Sequence, residues 1–583
     1  ARFVTTEQGT GIVHCAPSHG PDDFNLCLKH GIKAIETVDG DGKYTKNLPL
    51  FEGTHIFKAN PIVIEKLKEQ KKLLSNGELV HSYPHSWRSK APLVHRATPQ
   101  WFISMESHGL RKKALKALDD TKFYPDKGRE RIKAMIETRP DWCVSRQRVW
   151  GVPLPIFVHK TTKEILVDDN VNENIASIYE KEGSDCWFSD NPQRFLGDKY
   201  KAEDYEKISD IVEVWFDSGC THAFVLEKRE DLQWPASMYL EGSDQHRGWF
   251  HSSLLESCGT RGRAPYESIL SHGFVVDGKG LKMSKSVGNV IAPEDILKKY
   301  GADILRIWVA SSNYAEDLRI DYSILEQHAD SYRKIRNTFR YLLGNLNDNF
   351  QKVDMENLDI KQLPELERYM LHRVYELNQN FKNYFKSYDF HNLYKELLNF
   401  CTVDLSSFYF DIRKDTLYCD SKDSDRRKSS IVILNIILES LVKWFAPIIS
   451  FTAEEIFTLI NKEQKSIHLE QFMKFPESFR DEELHKKWIE LKKIRDICNV
   501  SIEAKRASKE IGSSLEASLI INLNKKFLEI AKNIDFSELC ITSSVIVKEI
   551  DTENVIVETI KAEGSKCPVC WKISREKCER HPG

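Results

Sequence analysis

The sequence predicts a multidomain protein of α/β plus α class, with an α/β first half carrying insertions, a helical second half and a small cysteine-rich tail. Three observations carry this. The chain has 583 residues, whereas a single core stops growing near ~250–300 residues. Short β-branched runs alternate with turns and helical stretches as far as residue 320, and beyond Asp321 apolar residues recur at helical spacing. The 13 cysteines are scattered singly until the end of the chain, where four residues of metal-ligand type cluster.

In chain order, "GTGIVHCAP", "AIETVDGDG" and "LPLFEGTHIF" are extended runs broken by Gly and Pro, so residues 1–78 read as a β-rich domain. Residues 79–320 hold most of the tryptophans and alternate strand, turn and helix, as an α/β domain does. "SYRKIRNTFRYLLGNL", "LERYMLHRVYELNQNFKNYF" and "IVILNIILESLVKWF" place a helical bundle over 321–490. Residues 491–565 mix a basic helix with the strand-like "ASLIINL" and "SSVIVKEI", and 566–583 form the tail.

Bulk properties exclude some classes. Charged residues make up 29% and hydrophobic residues 41%, with a net charge of -3. That is ordinary for a soluble globular protein, and no global basic field points to nucleic acid, although a local patch suffices. The most apolar segment, "IVILNIILESLVKWFAPIIS", contains Asn435, Glu439, Lys443 and Pro447, so it reads as a buried helix and not a membrane span. No signal peptide is visible, and scattered cysteines suit a reducing cytoplasm. The opening "ARFVTT" and the ending "ERHPG" read as a piece of a longer protein.

Two stretches carry chemistry. "DGKGLKMSKSVGNV" sets Lys282 and Lys285 three apart on a glycine-flanked loop with Ser284 and Ser286. A plain solvated loop explains such residues. Mobile cations and hydroxyls on a glycine hinge also suit gripping a polyphosphate as charge develops on it. "MYLEGSDQHRGWFHSSLL" reads as a strand, a polar turn and a helix, with Glu241, Gly242, Asp244, Gln245 and His246 at the strand's carboxyl end, where open α/β sheets bind ligands. Capping of the helix by Ser243 or Asp244 is the structural alternative.

The tail "KCPVCWKISREKCERHPG" sets Cys567 and Cys570 as C-x-x-C and Cys578 and His581 as C-x-x-H. Four soft ligands at that spacing suit a tetrahedral zinc, against a redox pair or ordinary surface thiols. Arg333, Arg336 and Arg340 recur on one helical face, and residues 561–583 hold six Lys/Arg against three Asp/Glu. Either group could meet phosphate or be a solvated face. No base-reading residue stands out in the bundle, where aromatic and basic residues mix only around Trp444.

Taken together, "KMSKS" downstream of "EGSDQHRGWF" resembles the class I aminoacyl-tRNA synthetases. "YPHSWRSKAPLVHRATPQWFISM", "RPDWCVSRQRVWGVPLP" and "EVWFDSG" resemble the bacterial isoleucyl branch of that class. The resemblance implies that 79–320 is the second half of a Rossmann-like catalytic fold and 1–78 the remainder of an editing insertion. It further implies that 321–490 binds the anticodon, 491–565 is a junction and 566–583 is a zinc knob. The family's "HIGH"-type motif is expected upstream of Ala1, since neither "PSHGP" nor "SHGF" matches it. This piece alone is therefore expected to be inactive.

The implied activity joins isoleucine to the α-phosphate of ATP, carried with Mg²⁺, and passes the product to tRNA(Ile), by a monomer. Lys282 and Lys285 would neutralise phosphate charge, with Ser284 and Ser286 beside them. Glu241, with Gly242, Asp244 and Gln245, would hold the aminoacyl-adenylate. A second pocket would hydrolyse valyl products, because one methylene gives a hydrophobic pocket too little discrimination, a limit for which isoleucine against valine is the standard illustration. His14 and Asp23 map onto that editing pocket, although "PDDFNLCLKHG" also reads as a helix capped by Asp22 or Asp23. The family carries two C-x-x-C pairs where this tail has one, so the fourth ligand is His581 or a cysteine beyond Gly583. Valyl or leucyl specificity is the nearest alternative. A non-catalytic tRNA-binding fragment or paralogue is the alternative of another class, and an intact "KMSKS" argues against it.

Overall fold

A computed structural model describes residues 3–581 except 8, 88, 347–349 and 462–464. The chain divides into two compact units. One comprises Ala1–Ala117, Lys133–Trp234 and Gly248–Pro265, the other Leu118–Ile132, Pro235–Arg247 and Tyr266–Gly583.

In the first unit, the predicted β-rich opening forms two helices, Pro21–Lys29 and Ile56–Glu69. Among its described residues the extended runs make only isolated bridges, Val38 to Tyr44 and Lys43 to His55. Gly42 and Gly53 take the left-handed conformation at turns between these runs, and the pairing stays at single bridges without extending into a ladder. Farther on, two-residue antiparallel pairs join Phe102–Ile103 to Trp142–Cys143 and Ser145–Arg146 to Ile211–Val212. They are braced by Glu213, which accepts from Trp142 Nε1 at 2.7 Å and pairs with Arg146 at 3.3 Å. A lobe within this unit has its own core of Phe157, Val171, Ile175, Trp187, Phe195 and Leu196. The helix Trp249–Thr260 buries nine consecutive residues from Phe250 to Cys258.

The second unit begins with a three-stranded parallel sheet. Ser268–His272 is central, flanked by Lys122–Tyr124 and Tyr239–Gly242. The register sets Glu241 opposite Ser271 and Gly242 opposite His272 at the carboxyl edge. The central strand turns through Gly273 into Val275–Asp277, which pairs in parallel with Leu318–Ile320. A Cβ at Gly273 would lie 2.2 Å from the Glu316 carbonyl oxygen, so only glycine lets these backbones pass.

The helix Ala302–Ser311 fastens this sheet region to the bundle. Asp303 accepts from the Thr452 amide at 2.8 Å and its hydroxyl at 2.6 Å, which caps the helix Ser450–Ile460. Arg306 donates to the carbonyls of Pro447 and Ile448 at 2.7 and 2.9 Å.

The bundle is built from Tyr322–Leu346, Glu365–Ser387, Phe390–Asn399, Phe410–Cys419, Asp425–Phe445 and Glu482–Ala507. A ten-residue π-helix, Phe400–Tyr409, interrupts it. Asp425–Phe445 contains most of the apolar segment weighed above as a membrane span. Twelve of its residues are buried in the protein core, and among the described residues no helix is long and apolar enough to cross a membrane. Beyond the bundle, Ala517–Leu523 pairs in parallel with Ser544–Glu549 and antiparallel with Ile556–Lys561, over alternating buried and half-buried positions. The tail opens as a two-residue hairpin, Ser565–Lys566 with Ile573–Ser574.

Candidate functional site

At the carboxyl edge of the parallel sheet the chain leaves Tyr239–Gly242 through a 3₁₀ turn, Ser243–His246, before the helix Trp249–Thr260. Neither Ser243 nor Asp244 caps this turn or the helix beyond it, whose N-cap is Gly248, so the capping alternative does not account for the polar run. Glu241 is exposed, and its Oε2 accepts from the Gly242 amide at 2.7 Å. Gln245 Nε2 donates to Asp244 Oδ2 at 3.2 Å. His246 is buried beneath them, its Nδ1 2.7 Å from the Ser243 carbonyl, and burial holds its pKa below the usual imidazole value. The turn therefore leaves the Glu241 and Asp244 carboxylates exposed at the carboxyl edge of the sheet, where open α/β sheets bind ligands.

The loop 277–290 follows Val275–Asp277. Lys282 and Lys285 are exposed, and among the described residues neither is ion-paired. The hydroxyls of Ser284 and Ser286 lie 3.1 Å apart. Gly280 and Gly288 have φ of 84° and 73°, the left-handed region that lets the loop turn sharply on both sides of the lysines. Met283 supplies the loop's apolar anchor, against a cluster that contains Ile296, Trp308, Ile320 and Leu325. The loop thus carries two unpaired cations between glycine turns, which is the kind of arrangement that can neutralise phosphate charge.

Sequence reasoning gave no role to Asp277 and Asn289, which hold this loop together. Asn289 Nδ2 donates to Asp277 Oδ2 at 2.9 Å, and Asn289 Oδ1 accepts from the Ser284 amide at 2.9 Å. Hydrogen bonds from Asn289 and from the Leu281 amide hold the Asp277 carboxyl below its usual range. No periodicity signals a loop pairing twelve residues apart.

His14 and Asp23 are not brought into contact. Asp23 Oδ2 accepts from the Ala16 amide at 2.7 Å, which braces the preceding loop, and the helix Pro21–Lys29 has no side-chain cap. His14 is exposed.

The tail residues do converge. Ligand atoms of Cys567, Cys570, Cys578 and His581 lie within 4.8 Å of one another, so they could hold a metal ion. His581 Nδ1 is 3.4 Å from Cys578 Sγ and 3.6 Å from Cys567 Sγ, and Cys570 Sγ is 3.8 Å from Cys578 Sγ. His581 Nε2 lies 2.9 Å from the Cys419 carbonyl, which places the ring proton on Nε2 and leaves Nδ1 free to ligate. The backbone amides of Cys570 and Val569 hold the Cys567 thiol down to about 6, towards thiolate. Arg580 pairs with Asp415 and Asp420 and docks the knob beside the end of Phe410–Cys419.

A second group, His372, Glu376 and His485, also sets ligand-type atoms within 4.8 Å. Here the chemistry opposes a cation. The Asp481 amide donates to His372 Nδ1 at 2.9 Å, so Nε2 carries the ring proton, and Arg373 engages Glu376.

Of the basic face, Arg333 is paired with Glu326 and Asp330, while Arg336 and Arg340 are exposed.

A family model described as tRNA synthetases class I (I, L, M and V) matches residues 30–321, and one for the anticodon-binding domain of tRNA ligase matches residues 367–521. An isoleucine–tRNA ligase of Pelagibacter ubique (strain HTCC1062) is 94% identical over 581 residues, covering 100% of this chain and 64% of that protein. Isoleucine–tRNA ligases of Gluconobacter oxydans (strain 621H) and Brucella abortus biovar 1 (strain 9-941) are 46% and 45% identical, and 62% of each is covered. The chain thus spans somewhat under two thirds of the length of these relatives. By the model that matches its residues 30–321, the chain belongs to the class I tRNA synthetases, the group that takes in the I, L, M and V enzymes.

Proposed function

We propose that the protein carrying this chain is an isoleucine–tRNA ligase. It condenses isoleucine with ATP to isoleucyl-adenylate and pyrophosphate, then transfers the isoleucyl group to the terminal adenosine of tRNA(Ile). The observation that carries this reading is the pair of unpaired lysines, Lys282 and Lys285, on a glycine-hinged loop beyond the sheet edge that presents Glu241. The 94% identity across the chain supports isoleucine as the amino acid, over valine or leucine.

In adenylate formation a carboxylate oxygen attacks the α-phosphorus, the bond to the bridging oxygen breaks, and negative charge gathers on the leaving pyrophosphate. Lys285, with Lys282, neutralises that charge as point cations. Ser284 and Ser286 offer hydroxyls to phosphate oxygens. Glu241 fixes the ammonium side of the aminoacyl-adenylate, with Gly242, Asp244 and Gln245 around it. Mg²⁺ enters with ATP and needs no cage of protein carboxylates.

His14 and Asp23 belong to a separate pocket that hydrolyses valyl products, where Asp23 anchors the substrate ammonium. Cys567, Cys570, Cys578 and His581 hold one structural Zn²⁺, a closed tetrahedron with no position for water. The helical bundle receives the anticodon stem of tRNA(Ile), and the protein works as a monomer in the cytoplasm. Residues 1–78, 79–320, 321–490, 491–565 and 566–583 serve as editing remainder, catalytic half, anticodon bundle, junction and zinc knob.

The test is charging of total tRNA by the full-length protein with labelled isoleucine, valine or leucine. Stable product with isoleucine alone is expected. Stable valyl- or leucyl-tRNA in its place would move the assignment within the class, and tRNA binding without charging in any arm would make the protein a binding module.

A further inference from the structure

The loop 277–290 has little to hold its shape. Across 283–288 the hydrogen bonds among the described residues are internal, with one exception, the bond from the Ser284 amide to Asn289. Asn289 is half-buried at the base of the loop and uses both ends of its amide. Its Oδ1 takes the Ser284 N–H at 2.9 Å, while its Nδ2 donates to Asp277 Oδ2 at 2.9 Å and to the Lys282 carbonyl at 3.2 Å. Asp277, on the other strand of the neck, accepts through Oδ1 from the amides of Leu281 at 2.8 Å and Lys279 at 3.0 Å. The two side chains therefore tie together the entry, the Lys282 carbonyl and the Ser284 amide. Both lysines are set by these ties, since Lys282 is gripped at its own carbonyl and Lys285 follows Ser284.

We infer that Asp277 and Asn289 form a latch that positions Lys282 and Lys285 for the ATP phosphates, so that both are positioning residues of the adenylate-forming step. An unlatched loop keeps its cations but loses their placement, and misplaced cations neutralise developing charge poorly. Only the amide side chain at 289 can accept from one backbone group while donating to a carboxylate and a carbonyl. The inference rests on the reading of this loop as the phosphate-gripping loop, and its test separates the two.

The experiment uses the full-length protein as parent, as Asn289→Ala, and as the swap Asp277→Asn with Asn289→Asp, which restores a side-chain bond across the neck with its donor reversed. Trypsin cleavage after Lys282 and Lys285 reads the latch without reference to catalysis. It should speed up about tenfold in Asn289→Ala, the scale of one or two lost hydrogen bonds in an exposed loop, and return towards the parent rate in the swap. Isoleucine-dependent ATP–pyrophosphate exchange reads positioning. In Asn289→Ala, kcat should fall by tenfold or more, with the KM for isoleucine and the transfer of preformed isoleucyl-adenylate to tRNA unchanged, and the swap should recover part of kcat. Equal cleavage in parent and Asn289→Ala overturns the latch. Faster cleavage with unchanged exchange, or an equal fall in the transfer step, overturns the positioning role. A parent that cleaves as expected but shows no isoleucine-dependent exchange removes the phosphate reading and the positioning role with it, while leaving the latch standing.

Discussion

Arg413 closes a two-pronged ion pair on Glu367 inside the helical bundle, with Nε and one terminal nitrogen each 2.6 Å from a carboxylate oxygen. The two side chains are 5% and 0% exposed. Tyr409 and Ser430 donate to the same carboxylate at 3.0 and 3.2 Å, and Arg413 reaches Glu538 beyond the bundle at 2.6 Å. The pair thus ties the bundle to the short helix Phe536–Leu539, which leads into the strand Ser544–Glu549. Charges buried this deeply are costly once one partner is lost. Glu367→Ala is expected to destabilise the full-length protein by about 3–5 kcal/mol in urea denaturation, while Glu367→Leu with Arg413→Met costs far less. A loss under about 1 kcal/mol for the single change would show that water reaches the site.

The editing role proposed for Asp23 has its own test. Asp23→Asn keeps an oxygen to accept the Ala16 amide and removes only the charge. If the carboxylate anchors the substrate ammonium, deacylation of valyl-tRNA by the full-length protein should fall at least tenfold and isoleucylation should not change. Parent-rate deacylation in Asp23→Asn, with a loss in Asp23→Ala, would make Asp23 a loop brace only.

The knob should depend on metal. Elemental analysis of freshly purified, reduced full-length protein should find about one zinc per chain, since three thiols and an imidazole make one tetrahedral site. Cys567→Ser, or a strong chelator, should disorder the tail while the bundle keeps its helical circular dichroism, because the knob is too short to bury a core of its own. Adenylate formation should survive either treatment, provided the chelator is removed and Mg²⁺ restored before the assay. Zinc-free protein with an ordered tail would return the cysteines to ordinary thiols.

Much of this was legible from the sequence, for physical reasons that also mark where legibility ends. The helices Tyr322–Leu346 and Glu365–Ser387 announce themselves because one face of each is buried and the apolar spacing repeats. The tail cluster is legible because its ligands are close in sequence. Partnerships across sequence are not. Nothing periodic links Asp277 to Asn289, Glu367 to Arg413, or His581 to the Cys419 carbonyl, and each is found only once the backbone has closed. The strand Ile556–Lys561 escaped notice because polar Glu558, Thr559 and Lys561 break up its apolar positions. The extended runs of the first eighty residues misled in the other direction, since β-branched composition gives a preference for extension but no partner to pair with.

In the proposed reaction the hinged loop with Lys282 and Lys285 grips the phosphates of ATP while isoleucine is activated at the sheet edge. Isoleucine-dependent ATP–pyrophosphate exchange, measured on the full-length protein and on its Lys285→Ala variant, tests this most directly. Exchange in the parent should require isoleucine, and Lys285→Ala should lose about 100- to 1,000-fold in kcat, with tRNA affinity and thermal stability nearly unchanged. Exchange at the parent rate in Lys285→Ala would contradict this role.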